Sequence, residues 1–410
     1  MTRRLIDCLR LLGAAIAAVI VVAAAGPATA QSTDDLDAFF DPNTIQELRL
    51  TVNTRDVRSL RENFEQDTYY TADLQWRNIR VRNAGIRSRG SASRNPTKLG
   101  LRVDFDRYVG GQKFLGLKSF VLKNLWQDGS MMHERVAMAF FARMGQPSSR
   151  ESFCRLYINN EFQGLYLIVE SVDNDYLTRT LGENDGYLYS YQFQGPFYGE
   201  YLGEDLEPYK SRFQPQSHER EADVKLYAPI HDFWREVNEP DDAVWRERVE
   251  QYVDLQQFMT QAALEGFLAE NDGLLGGNGM NNFFLYRLAG TNRHRFLPWD
   301  KDASFLVIDY SIFQWSDANV LFRRAFAYPD LREWYFQALE AAAKSAAEDN
   351  WLLNEVTRVA ELVSAVVEED TKKPFSTEAF YESVEYMKEF AQLRTKLVLQ
   401  QIEEWRRSRR

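Results

Sequence analysis

Basic residues are concentrated in one short segment of an acidic chain. The formal net charge is −11, yet no acidic residue interrupts seven basic ones: Arg80, Arg82, Arg87, Arg89, Arg94, Lys98 and Arg102. Arg89-Gly90-Ser91-Ala92-Ser93-Arg94 forms a loop of small residues between two predicted strands. Small residues allow backbone N–H groups to approach an anion, and the arginines add fixed charge, which suits phosphate. The segment predicts an anion site; a solvated basic face, or arginines paired with distant acids, are the alternatives.

Oxygen-bearing side chains are concentrated in a second segment. Asn271-Asp272 ends a predicted helix, Asn281-Asn282 follows a glycine-rich loop, and Asp300 and Asp302 follow the next predicted strand. The two aspartates are two residues apart, so they share a face if the segment is extended. Carboxylate and amide oxygens suit a hard cation such as Mg²⁺. The segment predicts a metal site; alternatively, Asp272 and Asn282 cap helices or turns and one of the two aspartates lies on the surface.

Several other chemistries are excluded. His133-Glu134 begins a zinc-protease pattern, but Ala137 replaces its second histidine. The sequence contains no Walker loop and no G-x-S-x-G nucleophile elbow. The chain has only two cysteines, and Cys154 lies in a strand pattern typical of a buried apolar residue. The low pI, about 5.1, argues against general nucleic-acid binding.

The elements that must position these residues change in character along the chain. Alternating apolar residues predict strands first, as in Leu99, Leu101, Val103 and Phe105. Residues 153–158 and 165–170 predict a hairpin, and residues 130–144 predict a helix. Asp254 with Gln257 predicts a helix start, and three long helices are predicted near 331–349, 351–369 and 377–407. Residues 182–242, rich in Tyr, Gly, Pro and charge, predict long loops. The pattern predicts an α+β protein of two lobes.

The first thirty residues predict export. Arg3, Arg4 and Arg10 precede an apolar run, and Ala28-Thr29-Ala30 resembles a cleavage site, as in a secretory signal peptide (1–30). An uncleaved membrane anchor is the alternative. Cleavage removes three arginines and one aspartate, so the net charge becomes −13, and no transmembrane span is then expected. Residues 31–44 predict a flexible tail, residues 45–172 a strand-rich N-lobe with the phosphate loop, and residues 173–410 a C-lobe.

Four stretches together resemble the spore coat protein H (CotH) kinase family. They are Ile86–Arg94 with Pro96 and Lys98, Leu122–Arg135, Tyr157–Glu170, and Asn282–Tyr286 leading to Phe296–Asp302. Their order and spacing cover most of residues 45–310. The resemblance implies an atypical protein-kinase-like, two-lobed fold that transfers phosphate from ATP to Ser or Thr.

The resemblance also implies a role for each candidate residue. Arg87, Arg89, Gly90, Ser91, Ser93 and Arg94 would form the loop over the phosphates of ATP. Lys98 would be the strand lysine that reaches the phosphates, and Asp272 would be the catalytic aspartate that orients the attacking hydroxyl. Asn282, Asp300 and Asp302 would hold Mg²⁺ or Mn²⁺. Glu134 is an ion-pair partner of Lys98 or, in the favoured interpretation, an exposed helix residue, and Glu170 marks the turn between lobes or ends a strand.

Two departures from the family pattern keep other functions open. The loop from Asp272 to Asn282 is longer than usual, and Asn281 stands where a histidine is common. The sequence predicts an exported kinase, periplasmic or extracellular, that acts on Ser or Thr of an envelope or secreted protein. A non-catalytic assembly or binding protein with a kinase fold is the alternative, and transfer of AMP is a third.

Overall fold

The computed structural model describes residues 33–409; the predicted signal peptide lies outside the described residues. The strands are β1 Gln46–Val52, β2 Tyr70–Trp76, β3 Ile79–Ser88, β4 Leu101–Asp104, β5 Ser119–Lys123, β6 Glu151–Ile158, β7 Glu161–Glu170, β8 Tyr187–Tyr191, β9 Phe213–Pro215, β10 Phe283–Arg287 and β11 His294–Pro298. The helices are α1 Thr33–Phe39, α2 Thr54–Glu62, α3 His133–Arg143, α4 Asn174–Leu181, α5 Glu207–Arg212, α6 Asp223–Val237, α7 Asp242–Val249, α8 Leu255–Phe267, α9 Val320–Ala327, α10 Pro329–Ala347, α11 Trp351–Glu369 and α12 Thr377–Ser408. This confirms the mixed helix and strand content.

The strand-rich half is a closed seven-stranded barrel. Its strand order is β1-β2-β3-β4-β5-β7-β6, and parallel pairing of β1 with β6 closes it. Side chains alternate between the two faces of each strand, so one set fills the interior. Leu101, Val103 and Phe105 are fully buried, as the alternation predicts. Closure leaves no free sheet edge within the barrel, and it fixes β4 and β5 as neighbours.

The segment predicted as a flexible tail is ordered from residue 33 onward. Helix α1 ends at Phe39, whose ring is fully buried and packs edge-on against Trp76 and Phe114 of the barrel core. A buried aromatic ring removes a large apolar surface from water, which outweighs the polar composition of the neighbouring residues. The prediction of a tail over residues 31–44 is therefore wrong for the described part of that range.

The second half is built on a four-stranded sheet with order β11-β10-β8-β9. The prediction of long loops over residues 182–242 is wrong, because this segment supplies β8, β9 and the fifteen-residue helix α6. Its aromatic residues are core residues: Tyr189, Phe233 and Trp234 are fully buried. Composition alone did not separate buried aromatic positions from loop positions.

The three long C-terminal helices agree with the predicted ranges, and α12 also supports the segment before Asp272. Arg394 of α12 is fully buried and donates to the carbonyl oxygens of Gly266 and Phe267 at the end of α8, at 2.6 and 2.8 Å. Carbonyl groups at a helix C-terminus lack partners within the helix, so a buried guanidinium satisfies them. Within residues 33–409, no helix combines the length and apolar character that a bilayer crossing requires.

Glu170 ends β7 and ties the barrel to the next helix. Its buried carboxylate accepts from Arg150 at 2.7 Å and also pairs with Arg179 of α4. Glu170 therefore ends a strand, as one of its two interpretations states, and the interpretation that it marks a turn between lobes stays a prediction.

Acid should destabilise the fold through His294, the first residue of β11. Burial lowers the pKa of His294 to about 3, although a hydrogen bond to the Tyr252 carbonyl oxygen opposes this. The folded protein therefore binds fewer protons here than the unfolded chain, so this contribution to stability is present near neutral pH. This contribution to the free energy of unfolding falls as the pH drops below 6.5, the ordinary pKa of histidine. At about pH 5 we expect a loss of about 2 kcal/mol in the free energy of unfolding.

Urea titrations of the wild type and His294→Gln at several pH values measure this effect. The acid-side slope should flatten in His294→Gln and should remain in the control His218→Gln, whose ring lies in a partly exposed turn. Equal slopes in all three proteins would contradict the assignment.

Candidate active site

The hairpin of β10 and β11 brings Asn282 and Asp300 together. Phe283 pairs with Pro298, and the N–H of Trp299 donates to the carbonyl oxygen of Asn282 at 3.2 Å. Asn282 and Asp300 both have positive φ angles, 54° and 53°. Left-handed backbone at non-glycine residues is costly and is concentrated at functional sites. The two segments that the sequence separated by eighteen positions therefore meet at one end of this hairpin.

Asp272 lies beside Asn282 and is oriented by two amides. The Nδ2 group of Asn281 donates to both Asp272 carboxylate oxygens at 3.1 Å, and that of Asn282 donates to Oδ2 at 2.8 Å. Burial raises the pKa of Asp272, while these amides and Lys301 oppose the shift. Asn281 therefore fixes the plane of the carboxylate.

The long loop between Asp272 and Asn282 is folded and closed at its base. The N–H of Asn281 donates to the carbonyl oxygen of Gly273 at 3.0 Å, and the N–H of Met280 donates to that of Phe197 at 2.7 Å. Leu274 and Met280 are fully buried. The additional residues therefore do not separate Asp272 from Asn282.

Lys123 forms the centre of the charged cluster. Its ammonium lies 2.8 Å from Glu134 Oε1 of α3 and 2.5 Å from Asp300 Oδ1. Burial alone would lower the pKa of Lys123, but Asp300 and Glu134 hold it above its ordinary value. Burial alone would likewise raise the pKa of Asp300, but Lys123 and Arg89 hold it below its ordinary value. The three groups form a charged network that joins the barrel, α3 and the hairpin.

The structure places Lys98 away from this network, which corrects its assignment as the lysine that reaches the phosphates. The Lys98 side chain is fully buried, and its ammonium pairs with Asp370, just after α11, at 2.7 Å. Only its backbone approaches the site, since the Lys98 carbonyl oxygen accepts from Asn124 at 2.7 Å. Lys98 lies before the start of β4, so its side chain follows a different direction from that of Lys123 on β5.

Glu134 is a second correction. The favoured prediction of an exposed helix residue is wrong, because its side chain is 1% exposed. Its second oxygen accepts from the backbone N–H of Lys301. The sequence does contain a signal for both residues: Lys123 interrupts an apolar strand, and Glu134 lies near the start of a predicted helix. In the structure, Asp128 accepts from the His133 N–H at 2.7 Å at the start of this helix. That signal does not identify which lysine and glutamate meet.

The predicted phosphate loop contributes Arg89 and Ser93 to the cleft. These two residues line it together with Lys123, Asn124, Asp300 and Asp302. Arg89 lies 3.9 Å from Asp300 Oδ2. The loop turns at Gly90, whose φ of 115° is unfavourable for residues with a Cβ.

Two other arginines of the loop are held elsewhere. Arg87 and Arg94 pair with Asp67 at 2.8 and 2.5 Å, and Arg94 also donates to the carbonyl oxygens of Gly90 and Glu65. Gly90 and Ser91 belong to the loop but do not line the cleft. For Arg87 and Arg94, therefore, the alternative to an anion site, arginines paired with acids, is correct. Arg89 instead lines the cleft.

A divalent cation is consistent with the donor groups at the end of the hairpin. Among residues 33–409, no group donates a hydrogen bond to the Asp302 carboxylate; burial and the nearby Asp300 raise its pKa well above the ordinary value. The Nδ2 group of Asn282 donates to Asp272, which leaves its amide oxygen available as a further metal ligand. Within the same residues, no cluster of three or more His, Cys, Asp or Glu side chains is arranged to hold a metal. The fit therefore depends on Asp300, Asp302 and the amide oxygen of Asn282.

Lys301 connects the end of the β10–β11 hairpin to helix α8. It is fully buried, lies between the two aspartates, and donates to Glu265 Oε1 of α8 at 2.9 Å and to the Asn282 carbonyl oxygen at 3.1 Å. Glu270 completes this cluster: its carboxyl accepts from the Asp272 N–H at 2.7 Å, and burial raises its pKa to about 7. The sequence offered no reason to select these buried groups.

Comparison with known proteins places this geometry in context. A family model described as CotH kinase protein matches residues 86–398. The inner spore coat protein H of Bacillus subtilis (strain 168) is 24% identical over 343 residues, which covers 81% of this chain and 90% of that protein. The crystal structure of the Helicobacter pylori proinflammatory kinase CtkA aligns with 8% identity and a TM-score of 0.29, over 74% of this chain and 94% of that chain. At that TM-score the alignment carries no argument about a shared fold.

Proposed function

This chain belongs to the CotH kinase family, and we propose on that premise that it transfers the γ-phosphate of ATP to Ser or Thr of a protein outside the cytoplasm. The observation that supports the proposal best is the cluster of Lys123, Glu134 and Asp300 beside the loop that carries Arg89. Phosphate transfer requires positioning and neutralisation of charge more than covalent chemistry by the protein, and this cluster supplies both. The proposal includes a kinase-like arrangement of the two halves.

The chain's own residues divide the work as follows. Lys123 and Arg89 would neutralise the phosphates, and Glu134 would hold Lys123 in place. Asp272, held by Asn281 and Asn282, would orient the attacking hydroxyl and accept its hydrogen bond. Asp300, Asp302 and Asn282 would hold Mg²⁺ or Mn²⁺, which supplies further neutralisation of the phosphate charge.

The proposed location is the envelope or the extracellular space. The predicted signal sequence supports export. By its name, the Bacillus subtilis relative belongs to a spore coat, which also lies outside the cytoplasm. The proposed partner is therefore an envelope or secreted protein with an accessible hydroxyl group.

The test is the intact mass of the purified protein after incubation with ATP and Mg²⁺ or Mn²⁺. We expect a phosphate-sized gain in the wild type, and a rate at least about 100-fold lower in Asp300→Asn, because a charge that acts in the transition state is lost. Asp309→Asn, which changes an exposed acid on the same segment, should match the wild type.

The other outcomes separate the alternatives. An AMP-sized gain would replace phosphate transfer by transfer of AMP. Absence of any gain, together with no heat of ATP binding by calorimetry in the presence of Mg²⁺, would support the non-catalytic assembly protein instead.

A further inference from the structure

Glu151, the first residue of β6, is a buried carboxyl group that lies beside a second acid, Glu134. Its side chain is 5% exposed, and no N–H or O–H group among residues 33–409 donates to either of its carboxyl oxygens. No basic side chain of the described residues pairs with it either. An ionised carboxylate in this position would lose its hydration with no hydrogen bond to replace it, and the charges of Arg135 and Lys123 offset only part of that cost. The geometry therefore favours a protonated Glu151.

The sheet register places Glu151 close to the charged cluster of the candidate site. Glu151 pairs with Val169 of β7, which pairs with Val121 of β5, two residues before Lys123. Residues two apart on a strand share a face, so Glu151 and Lys123 lie on the same face of the barrel. Helix α3, with Glu134, packs on this face. Glu134 Oε1, the oxygen that lies 2.8 Å from the Lys123 ammonium, is itself buried, and Lys123 is the only cation of the described residues within ion-pair distance of it.

We infer that Glu151 is a positioning residue: it keeps a proton, donates a hydrogen bond to Glu134 Oε1, and thereby holds Glu134 against Lys123. The inference rests on the proposed function, because it assigns Glu151 a task in the same site. The proton stays on Glu151, and no bond is made or broken. Burial, and after it the negative charge of Glu134, raise the pKa of Glu151 well above its ordinary value, which agrees with this geometry.

The charged groups around Glu151 are arranged so that they do not replace this hydrogen bond. Arg135 of α3 is one of two cations that act on Glu151, the other being Lys123, but it lies 3.8 Å from Glu355 of α11. Glu355 in turn accepts from Arg358 at 2.6 Å. The charged groups that act on Glu151 are Glu134, Arg135 and Lys123, and Arg135 is in turn surrounded by Glu151, Glu355 and Arg358.

The first test measures the proton without any need for kinase activity. An acid whose pKa is raised in the folded state binds more protons when folded, so its contribution to stability falls as the pH rises above its unfolded value. Gln has no proton to lose. Urea titrations give the folding equilibrium constant of Glu151→Gln and of the wild type at each pH. The constant of Glu151→Gln divided by that of the wild type should therefore increase by up to about tenfold per pH unit between about pH 5 and pH 8.

Glu170→Gln is the matched control. Glu170 is a buried acid on the neighbouring strand, but Arg150 and Arg179 pair with it, so this substitution should not give a ratio that rises with pH. A ratio that is independent of pH in Glu151→Gln would overturn the proton on Glu151.

The second test measures positioning. In the intact-mass assay with ATP and Mg²⁺, Glu151→Gln should keep the wild-type rate near neutral pH within about threefold, since its amide donates the same hydrogen bond, and should keep it at alkaline pH where the wild type declines. Glu151→Ala should lose at least about tenfold at every pH, corrected for its folded fraction. Equal rates and equal pH profiles in all three proteins would overturn the positioning role. A wild type that neither gains phosphate nor binds ATP would overturn the proposed function and this role together, while the urea titrations would still decide the proton.

Discussion

Replacing Lys123 by methionine should lower the rate of phosphate transfer by at least about 100-fold, whereas Lys98→Met should leave the rate per folded molecule within about threefold of the wild type. The two lysines lie on the same barrel, but only the ammonium of Lys123 meets Asp300 and Glu134. A fixed positive charge at the phosphates acts in the transition state, where charge is redistributed, and methionine removes that charge while filling similar volume. The measurement is the initial rate of phosphate incorporation from ATP with Mg²⁺, divided by the fraction of folded protein.

Lys123→Arg separates catalysis from folding. Arginine keeps the charge that buried Glu134 and Asp300 require, so the protein should remain folded, but its planar fork differs in shape from a compact ammonium. We expect at least about a tenfold loss of rate with near-normal stability. If Lys98→Met abolishes transfer while Lys123→Met retains it, Lys98 is the phosphate lysine after all and the assignment made here is wrong.

Asp370→Asn should lower the free energy of unfolding by about 3–5 kcal/mol, because it leaves Lys98 buried without its counter-charge. The pair is fully buried, and Asp370 also accepts from the backbone N–H groups of Leu165 and Lys372 at 3.0 and 2.9 Å. Burial lowers the pKa of Lys98 and Asp370 opposes this. Without Asp370 the lysine must either stay charged in apolar surroundings or release its proton, and both cost free energy.

Glu369→Gln is the matched control for this prediction. Glu369 adjoins Asp370 and pairs with Arg155, but its side chain is half exposed and screened by water, so the loss should be much smaller than that of Asp370→Asn. The double variant Lys98→Met with Asp370→Leu should lose less stability than the sum of its single changes, because it leaves no uncompensated charge. Equal losses in Asp370→Asn and Glu369→Gln, measured by urea unfolding, would contradict the role of this pair.

The glycine at position 164 shows how closely this pair is packed. A Cβ atom there would lie about 2.3 Å from Asp370 Oδ2, and Gly164 also has a φ of 114°. The barrel strand β7 and the turn after α11 therefore meet without room for a side chain. This contact joins the strand-rich half to the C-terminal helices.

Local sequence patterns were sufficient for most of the elements. The predicted helical ranges agree with α10, α11 and α12 to within two residues at every end. Strict alternation of apolar residues predicted the buried residues of β4. The predicted hairpin corresponds to β6 and β7, and Asp254 accepts from the Gln257 N–H at 3.1 Å at the start of α8. These features depend on neighbours within a few positions, so the sequence displays them directly.

Patterns failed where burial came from distant residues. The polar segment before Asn43 contains Phe39, whose burial depends on Trp76 and Phe114, and the loop-like composition of residues 182–242 concealed two helices and two strands. A short window contains no information about a ring that fills a cavity formed by other strands.

The sequence alone determined the residue types of the candidate site, namely Asp272, Asn282, Asp300 and the loop with Arg89. Only the tertiary structure decided which lysine lies in its charged cluster. Lys98, just before β4, and Lys123, on β5, both lie among apolar residues, but Lys98 pairs with Asp370, 272 positions further along the chain, and Lys123 pairs with Asp300, 177 positions further along. Closure of the barrel and packing of α3 and α11 determine which of those partners each ammonium meets. A charge is placed by the three-dimensional arrangement of the groups that replace its water, and no local pattern contains that arrangement.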